Sequence, residues 1–142
     1  MIKIGIAADH AGVVLKEKIK DFLKLNYDLE DYGTNSEESV DYPDFAHPLA
    51  NSIADKYNEF GIIICGSGNG VCMTVNKHKD VRGALCWNKE IASLARKHNN
   101  ANILCLPARF ITEEIAIEIV NEFLVTNFEG GRHQKRVDKI AP

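Results

Sequence analysis

No apolar stretch of this 142-residue chain approaches the roughly 20 residues a bilayer-crossing helix requires. The run Ile62-Ile63-Ile64-Cys65 is only the centre of a short buried strand. The opening segment Ile2 to Ala8 is too short for the apolar region of an export signal and is followed at once by Asp9 and His10, so a cytoplasmic protein is expected. Long blocks of one charge are missing, and the formal net charge is -3, which recommends neither nucleic acid nor an anionic membrane as partner. A small molecule is the expected ligand. Cys65, Cys72, Cys86 and Cys105 stand far apart inside apolar segments, and in a reducing compartment such thiols stay free, so no disulfide is expected. CxxC, HExxH and HxxxH spacings are absent, and with them the local signatures of a zinc or iron centre. Internal repeats, low-complexity segments and signs of a second domain are also lacking.

What remains is an alternation of short apolar runs with segments of helical periodicity, the pattern of strand and helix units winding a parallel sheet. Strands are expected at Lys3 to Ala8, Tyr27 to Asp31, Gly61 to Cys65, Arg82 to Cys86 and Asn102 to Leu106. The third and fifth are apolar enough to be covered on both faces. Val14, Leu15, Ile19, Phe22 and Leu23 recur at three- and four-residue steps, as do Phe45, Leu49, Ile53 and Tyr57, predicting two amphipathic helices. Further helices are expected at Gly70 to Lys77, Lys89 to His98 and Thr112 to Thr126, the last opened either by a capping box of Thr112 with Glu114 or by Thr112 alone. Glu129-Gly130-Gly131 reads as a hinge before a short helix at about 130–138 carrying Arg132 and Arg136.

The sharpest local feature is Ile62-Ile63-Ile64-Cys65-Gly66-Ser67-Gly68-Asn69-Gly70, a buried strand running into a glycine-rich turn and then a helix. In open parallel sheets ligands bind beyond the carboxyl ends of the strands, where glycines let backbone N–H groups approach an anion. The spacing fits neither the Walker pattern nor the dinucleotide GxGxxG fingerprint, and a tight turn without chemistry is an equal reading of the glycines alone. Cys65 stands apart from the other three cysteines because it sits at a strand exit beside a helix N-terminus, a setting that favours a thiolate in general. Asp9 and His10 form a second polar cluster at the end of the first strand. His98, with Asn99, closes a helix and is either a proton-transfer group or a C-terminal cap. Arg109 follows the fifth strand, and Arg132 and Arg136 share one helix face suited to phosphate or to solvent.

Taken together, Asp9-His10, Asp41-Tyr42-Pro43, Cys65-Gly66-Ser67-Gly68-Asn69-Gly70, His98-Asn99 and Glu129-Gly130-Gly131-Arg132-His133-Gln134-x-Arg136-Val137 resemble the B-type ribose 5-phosphate isomerases of the ribose/galactose isomerase family. The resemblance covers essentially the whole chain. It implies a Rossmann-like three-layer α/β/α sandwich with a five-stranded parallel sheet, forming at least a homodimer whose active sites are built from two chains. It implies neither cofactor nor metal, and a place in the non-oxidative pentose phosphate pathway. By the same resemblance Cys65 is the base that takes the C2 proton, and Ser67 with the backbone of Gly66, Gly68, Asn69 and Gly70 holds the enediolate oxygen. His98 opens the sugar ring, assisted by Asp9. His10, Arg109, Arg132 and Arg136 contact the phosphate, Asn99 touches substrate and Tyr42 lines the pocket. Some members use a glutamate just after the glycine-rich turn instead of the cysteine, and here that place is Val71.

Three other readings stay open on sequence alone. A hexose 6-phosphate isomerase for allose or galactose would use the same base and a longer pocket. A sugar-phosphate binding module on this fold would not need Cys65. A cysteine hydrolase would form an acyl enzyme.

Overall fold

The structure, a computed structural model, describes residues 1–142. Its strands are β1 (Lys3–Ala8), β2 (Asp28–Asp31), β3 (Phe60–Cys65), β4 (Gly83–Leu85) and β5 (Ile103–Pro107). Its helices are α1 (Val13–Leu23), α2 (Pro43–Ala54), α3 (Asn69–Val75), α4 (Lys89–Asn99), α5 (Glu113–Val125) and α6 (Arg132–Val137), with a single 3-10 turn, His10–Gly12, before α1. All strands are parallel, in the order β2-β1-β3-β5-β4. Every residue of β3 and β5 is buried, as a central strand covered on both faces demands.

Two apolar cores flank the sheet. Ile19 and Leu23 of α1, Ala92 and Ala95 of α4, and Ile119, Val120, Phe123 and Leu124 of α5 pack with Ile4, Ile6, Ile62, Ile64, Leu104 and Leu106 on one face. On the other, Ala46, Leu49, Ala50 and Ile53 of α2 and Val71 and Val75 of α3 meet Ala7, Ile63, Cys65, Ile103 and Cys105. Alternate residues of each strand feed opposite cores, and the result is a three-layer α/β/α sandwich. α1 leaves β1 toward one layer and α3 leaves β3 toward the other, so a crevice opens between β1 and β3 at their carboxyl ends.

Helix ends follow local chemistry. The side chains of Asn88 and Thr112 accept the N–H groups of Ile91 and Ile115 and start α4 and α5, so Thr112 is the expected cap. α2 starts with Pro43 in its first turn and stops at Ala54, short of Tyr57, because Lys56 takes a positive φ of 60° and Ser52 O accepts the N–H of Tyr57. The face of α1 also departs from the pattern: Val14 and Phe22 are exposed, whereas Lys16 is fully buried. Its Nζ donates to both Asp31 oxygens at 2.7 and 2.8 Å, to Thr34 O at 2.7 Å and to Asn35 Oδ1 at 2.9 Å, which satisfies a cation inside the protein. Burial works to raise the Asp31 carboxyl, but hydrogen bonds from Lys16, Lys20 and the Gly33 amide outweigh it and hold the group below the usual carboxylate range.

Candidate active site

At the crevice mouth β3 ends on Cys65, and the chain turns through Gly66 and Ser67 into Gly68, whose φ of 75° is the left-handed conformation that glycine adopts without penalty. That turn swings the Gly68 N–H back to donate to Cys65 Sγ at 3.1 Å, while the Asn69 N–H donates to Ser67 Oγ at 3.3 Å. The N–H groups of Gly66, Ser67 and Gly70 have no acceptor within the chain and remain available to a ligand oxygen. The close approach of chain to chain needs glycine here: a Cβ on Gly70 would lie 2.5 Å from the Tyr42 ring, and one on Gly66 would lie 3.0 Å from Arg109 Nη1.

β1 brings Asp9 and His10 to the same place. Asp9 is buried, and its Oδ1 accepts the Ala11 N–H at 2.9 Å, closing the 3-10 turn. His10 Nδ1 accepts the Val40 N–H at 3.2 Å, which fixes the ring and leaves Nε2 for a ligand. Arg109 is tied through its own N–H to Gly66 O at 3.0 Å. Asp9, His10, Ala11, Tyr42, Cys65, Gly66, Ser67, Gly70, Arg109 and Phe110 line one open cavity of about 600 Å³. Ala11 and Phe110 escaped the sequence reading, although an apolar Phe110 in the turn after β5, 75 % exposed, was a visible signal.

His98, Asn99, Arg132 and Arg136 are elsewhere. α4 starts after the carboxyl end of β4 and runs back across the sheet, so His98 near its end lies toward the amino ends of the strands. There Asn102 O accepts the Gly61 N–H at the start of β3 and the Asn102 N–H donates to Arg82 O. β3 rises about 13 Å from Gly61 to Cys65 at ~3.3 Å per residue, and the two groups lie toward opposite ends of that strand within one chain. α6 packs on this end of α4: the His98 and His133 rings stack at 4.3 Å and 13°, with Glu129 Oε1 3.8 Å from His98 Nε2 and 3.5 Å from His133 Nε2. Burial, then the charges of His98 and Arg132, push the His133 imidazole below its ordinary value, with Glu129 opposing. Arg132 and Arg136 project into solvent from the same short helix. The structure therefore assembles the sequence-predicted residues into two groups at opposite sheet ends, and Asp9 does not meet His98 within one chain.

A larger hollow of about 1000 Å³ lies at the amino ends, lined by Lys3, Arg82, Arg96 and Asn102 among others. Its Arg96 is structural: the guanidinium donates to Thr126 O, Asn100 Oδ1 and Ala101 O. The smaller cavity holds the nucleophile and the open amides, and size does not outweigh that chemistry. The other cysteines are distinct from Cys65. Burial pushes the Cys86 thiol up to about 12 and Cys105 well above its ordinary value, while a hydrogen bond with Cys105 draws Cys72 down, away from the cavity.

Fold and site define a doubly wound α/β protein with a thiol, open amides, an imidazole and the Arg109 guanidinium gathered at a strand exit, a class suited to proton transfer on a small anionic carbonyl compound. The chain belongs to the ribose/galactose isomerase family, whose model matches residues 4–140. It is similar to a probable ribose-5-phosphate isomerase B of Mycoplasma genitalium, 49 % identical over 96 % of this chain and 92 % of the relative. Among solved structures it is similar to a ribose 5-phosphate isomerase of Thermotoga maritima, with a TM-score of 0.96 and 51 % identity over 98 % of this chain and 97 % of that one. It also matches ribose-5-phosphate isomerase B of Mycoplasma genitalium with bound ribulose-5-phosphate, with a TM-score of 0.94 and 48 % identity over 98 % of this chain and 93 % of that one.

Proposed function

We propose that the chain, acting as one catalytic domain, interconverts D-ribose 5-phosphate and D-ribulose 5-phosphate through an enediolate. The observation that carries this reading is the Cys65 sulfur held at 3.1 Å by the Gly68 N–H beside three amides with no acceptor of their own. The Cys65 thiolate takes the C2 proton of the open-chain aldose, and the electron pair moves to the carbonyl oxygen, giving an enediolate and a thiol. The thiol returns a proton to C1 while the O2 hydroxyl proton passes to O1, which leaves the ketose. Amides of Gly66, Ser67 and Gly70, with the Ser67 hydroxyl, face the charge that develops on oxygen, an arrangement worth on the order of a hundredfold in rate per donor. The Gly68 and Asn69 amides, already engaged by Cys65 and Ser67, serve the site by holding those two side chains.

His98 protonates the ring oxygen as the sugar opens, Asn99 contacts the substrate, and Arg132 and Arg136 hold the phosphate together with His10 and Arg109. Because those two groups lie at opposite ends of one sheet, a second copy supplies the missing half, and the working unit is a homodimer. Val14, Met73, Trp87 and Phe110, all more than half exposed, give this reading apolar surface for a partner to cover. Asp9 assists the His98 of the other chain in that arrangement. No helix is long and apolar enough to cross a membrane, and four free cysteines suit the reducing cytoplasm where we place the protein.

The pentose is favoured over a hexose phosphate by the relative that holds ribulose-5-phosphate. The deciding assay is turnover of ribose 5-phosphate beside allose and galactose 6-phosphates, with Cys65→Ala as the control. Pentose turnover that vanishes in the variant is expected. Turnover of a hexose alone moves the substrate, and inactivity on all three returns the chain to a binding role.

A further inference from the structure

We infer that His98, Glu129 and His133 form a site for a divalent transition metal of the zinc type, and that filling it switches the enzyme off. One ligand atom from each residue lies within 4.8 Å of the other two. Tetrahedral zinc with bonds of about 2.0–2.2 Å places its ligand atoms ~3.4 Å apart. The Glu129 Oε1 distances of 3.5 Å to His133 Nε2 and 3.8 Å to His98 Nε2 are within a few tenths of an ångström of that requirement. The remaining edge closes when the stacked rings tilt toward each other. His98 and Glu129 are free to move, at 41 % and 51 % side-chain exposure, while His133, at 11 %, is the fixed point.

The backbone frame is already set. The Glu129 N–H donates to Lys97 O at 3.1 Å and the His133 N–H to Gly130 O at 3.0 Å, so the hinge is fastened to the end of α4 rather than trailing from it. Two imidazoles and one carboxylate with a position left for water is the donor set of open zinc sites. Local motif spacing misses it because His98 is brought to Glu129 and His133 by the packing of α6 on α4, not by sequence. The positive charges of Arg132 and Arg136 on the same helix weaken cation binding here. A His98 imidazole that gives its Nε2 lone pair to a metal has no proton there to hand to the ring oxygen. This second half of the inference rests on the role proposed above for His98; the binding itself does not.

The test is calorimetric titration of the chelator-treated full-length protein with ZnCl2, for the wild type, Glu129→Gln and His133→Asn, with CoCl2 absorption as a second readout. One ion per chain is expected, weakened at least about tenfold in either variant, because each removes one of three ligands. Cobalt should give visible bands without a near-ultraviolet thiolate band. Zinc should inhibit turnover with a midpoint equal to its dissociation constant, EDTA should restore the rate, and Glu129→Gln, whose side chain is half exposed, should shift that midpoint by the same factor. No binding up to millimolar zinc, unchanged binding in both variants, or a thiolate band that assigns the ion to a cysteine would each overturn the site. Binding here with full turnover at saturation would overturn the switch and, separately, the acid role of His98.

Discussion

A dimer purified to carry Cys65→Ala in one chain and His98→Asn in the other should regain about half the activity of the wild type, although each parent homodimer is nearly inactive. The expectation comes from the position of α4: it carries His98 to the amino ends of strands whose carboxyl ends hold Cys65, about 13 Å of β3 away. Each site then takes Cys65 from one chain and His98 from the other. In the mixed dimer one site collects both substitutions and the other collects neither. The parents lose a general base or a general acid at every site and should retain less than about 1 % of the rate, since such groups contribute ~10²- to 10⁴-fold. Co-expression with two different affinity tags and sequential purification gives the mixed species without relying on subunit exchange, and ribulose 5-phosphate formation is followed directly. If the mixed dimer is as inactive as its parents, each site is complete within one chain and the division drawn from the topology is wrong.

Replacing Gly68 by Ala should cost about 1–2 kcal/mol of stability in chemical denaturation, because φ there is 75° and the new Cβ meets Leu85 Cδ1 at 2.5 Å. The same change shifts the N–H from Cys65 Sγ and should lower kcat about a hundredfold; an unaltered kcat would remove the turn from the mechanism. Arg132→Ala and Arg136→Ala should each raise KM roughly tenfold or more with kcat little changed, the loss of one charge-assisted contact to a phosphate remote from the reacting carbons. An unmoved KM in both would contradict their assignment. Asp31→Asn should cost about 2–3 kcal/mol at pH 7, since it leaves Lys16 buried without its carboxylate partner while Asp31 itself stays partly solvated. The Asp31 carboxyl is depressed in the folded state, so its contribution is complete above the unfolded value of 3.8 and declines as the pH falls through the lower folded one. Denaturant midpoints at pH 7 and pH 3 should show the gap between variant and wild type narrowing in acid.

Much of this was legible in the residues. β1 is bounded as expected, Lys3 to Ala8, because its continuous apolar run stops at Asp9, and β3, Cys65 and the glycine-rich turn stand at the carboxyl end of an open parallel sheet, where ligands generally bind. The limits of the reading were set by contacts between distant segments. Lys16 occupies a core position three residues from both Val13 and Ile19, yet a lone lysine there looks like an interruption until Asp31, Thr34 and Asn35 are brought around it. Val14 and Phe22 fit the helical period of α1 equally well but fall on the solvent side. β4 is shorter than its apolar run, Gly83–Leu85, since only those residues pair with β5 in ladder register. The ring stack of His98 on His133 had no sequence signal, because it depends on a hinge whose length says nothing of where it folds back.

The eleven residues of α4 have one more consequence. On the roles proposed for His98 and Cys65, carrying one away from the other leaves neither half useful alone, and two copies of such a gene could each lose a different half and still serve together. A chain divided in that way would stand only a few substitutions from an obligate pair of unlike subunits.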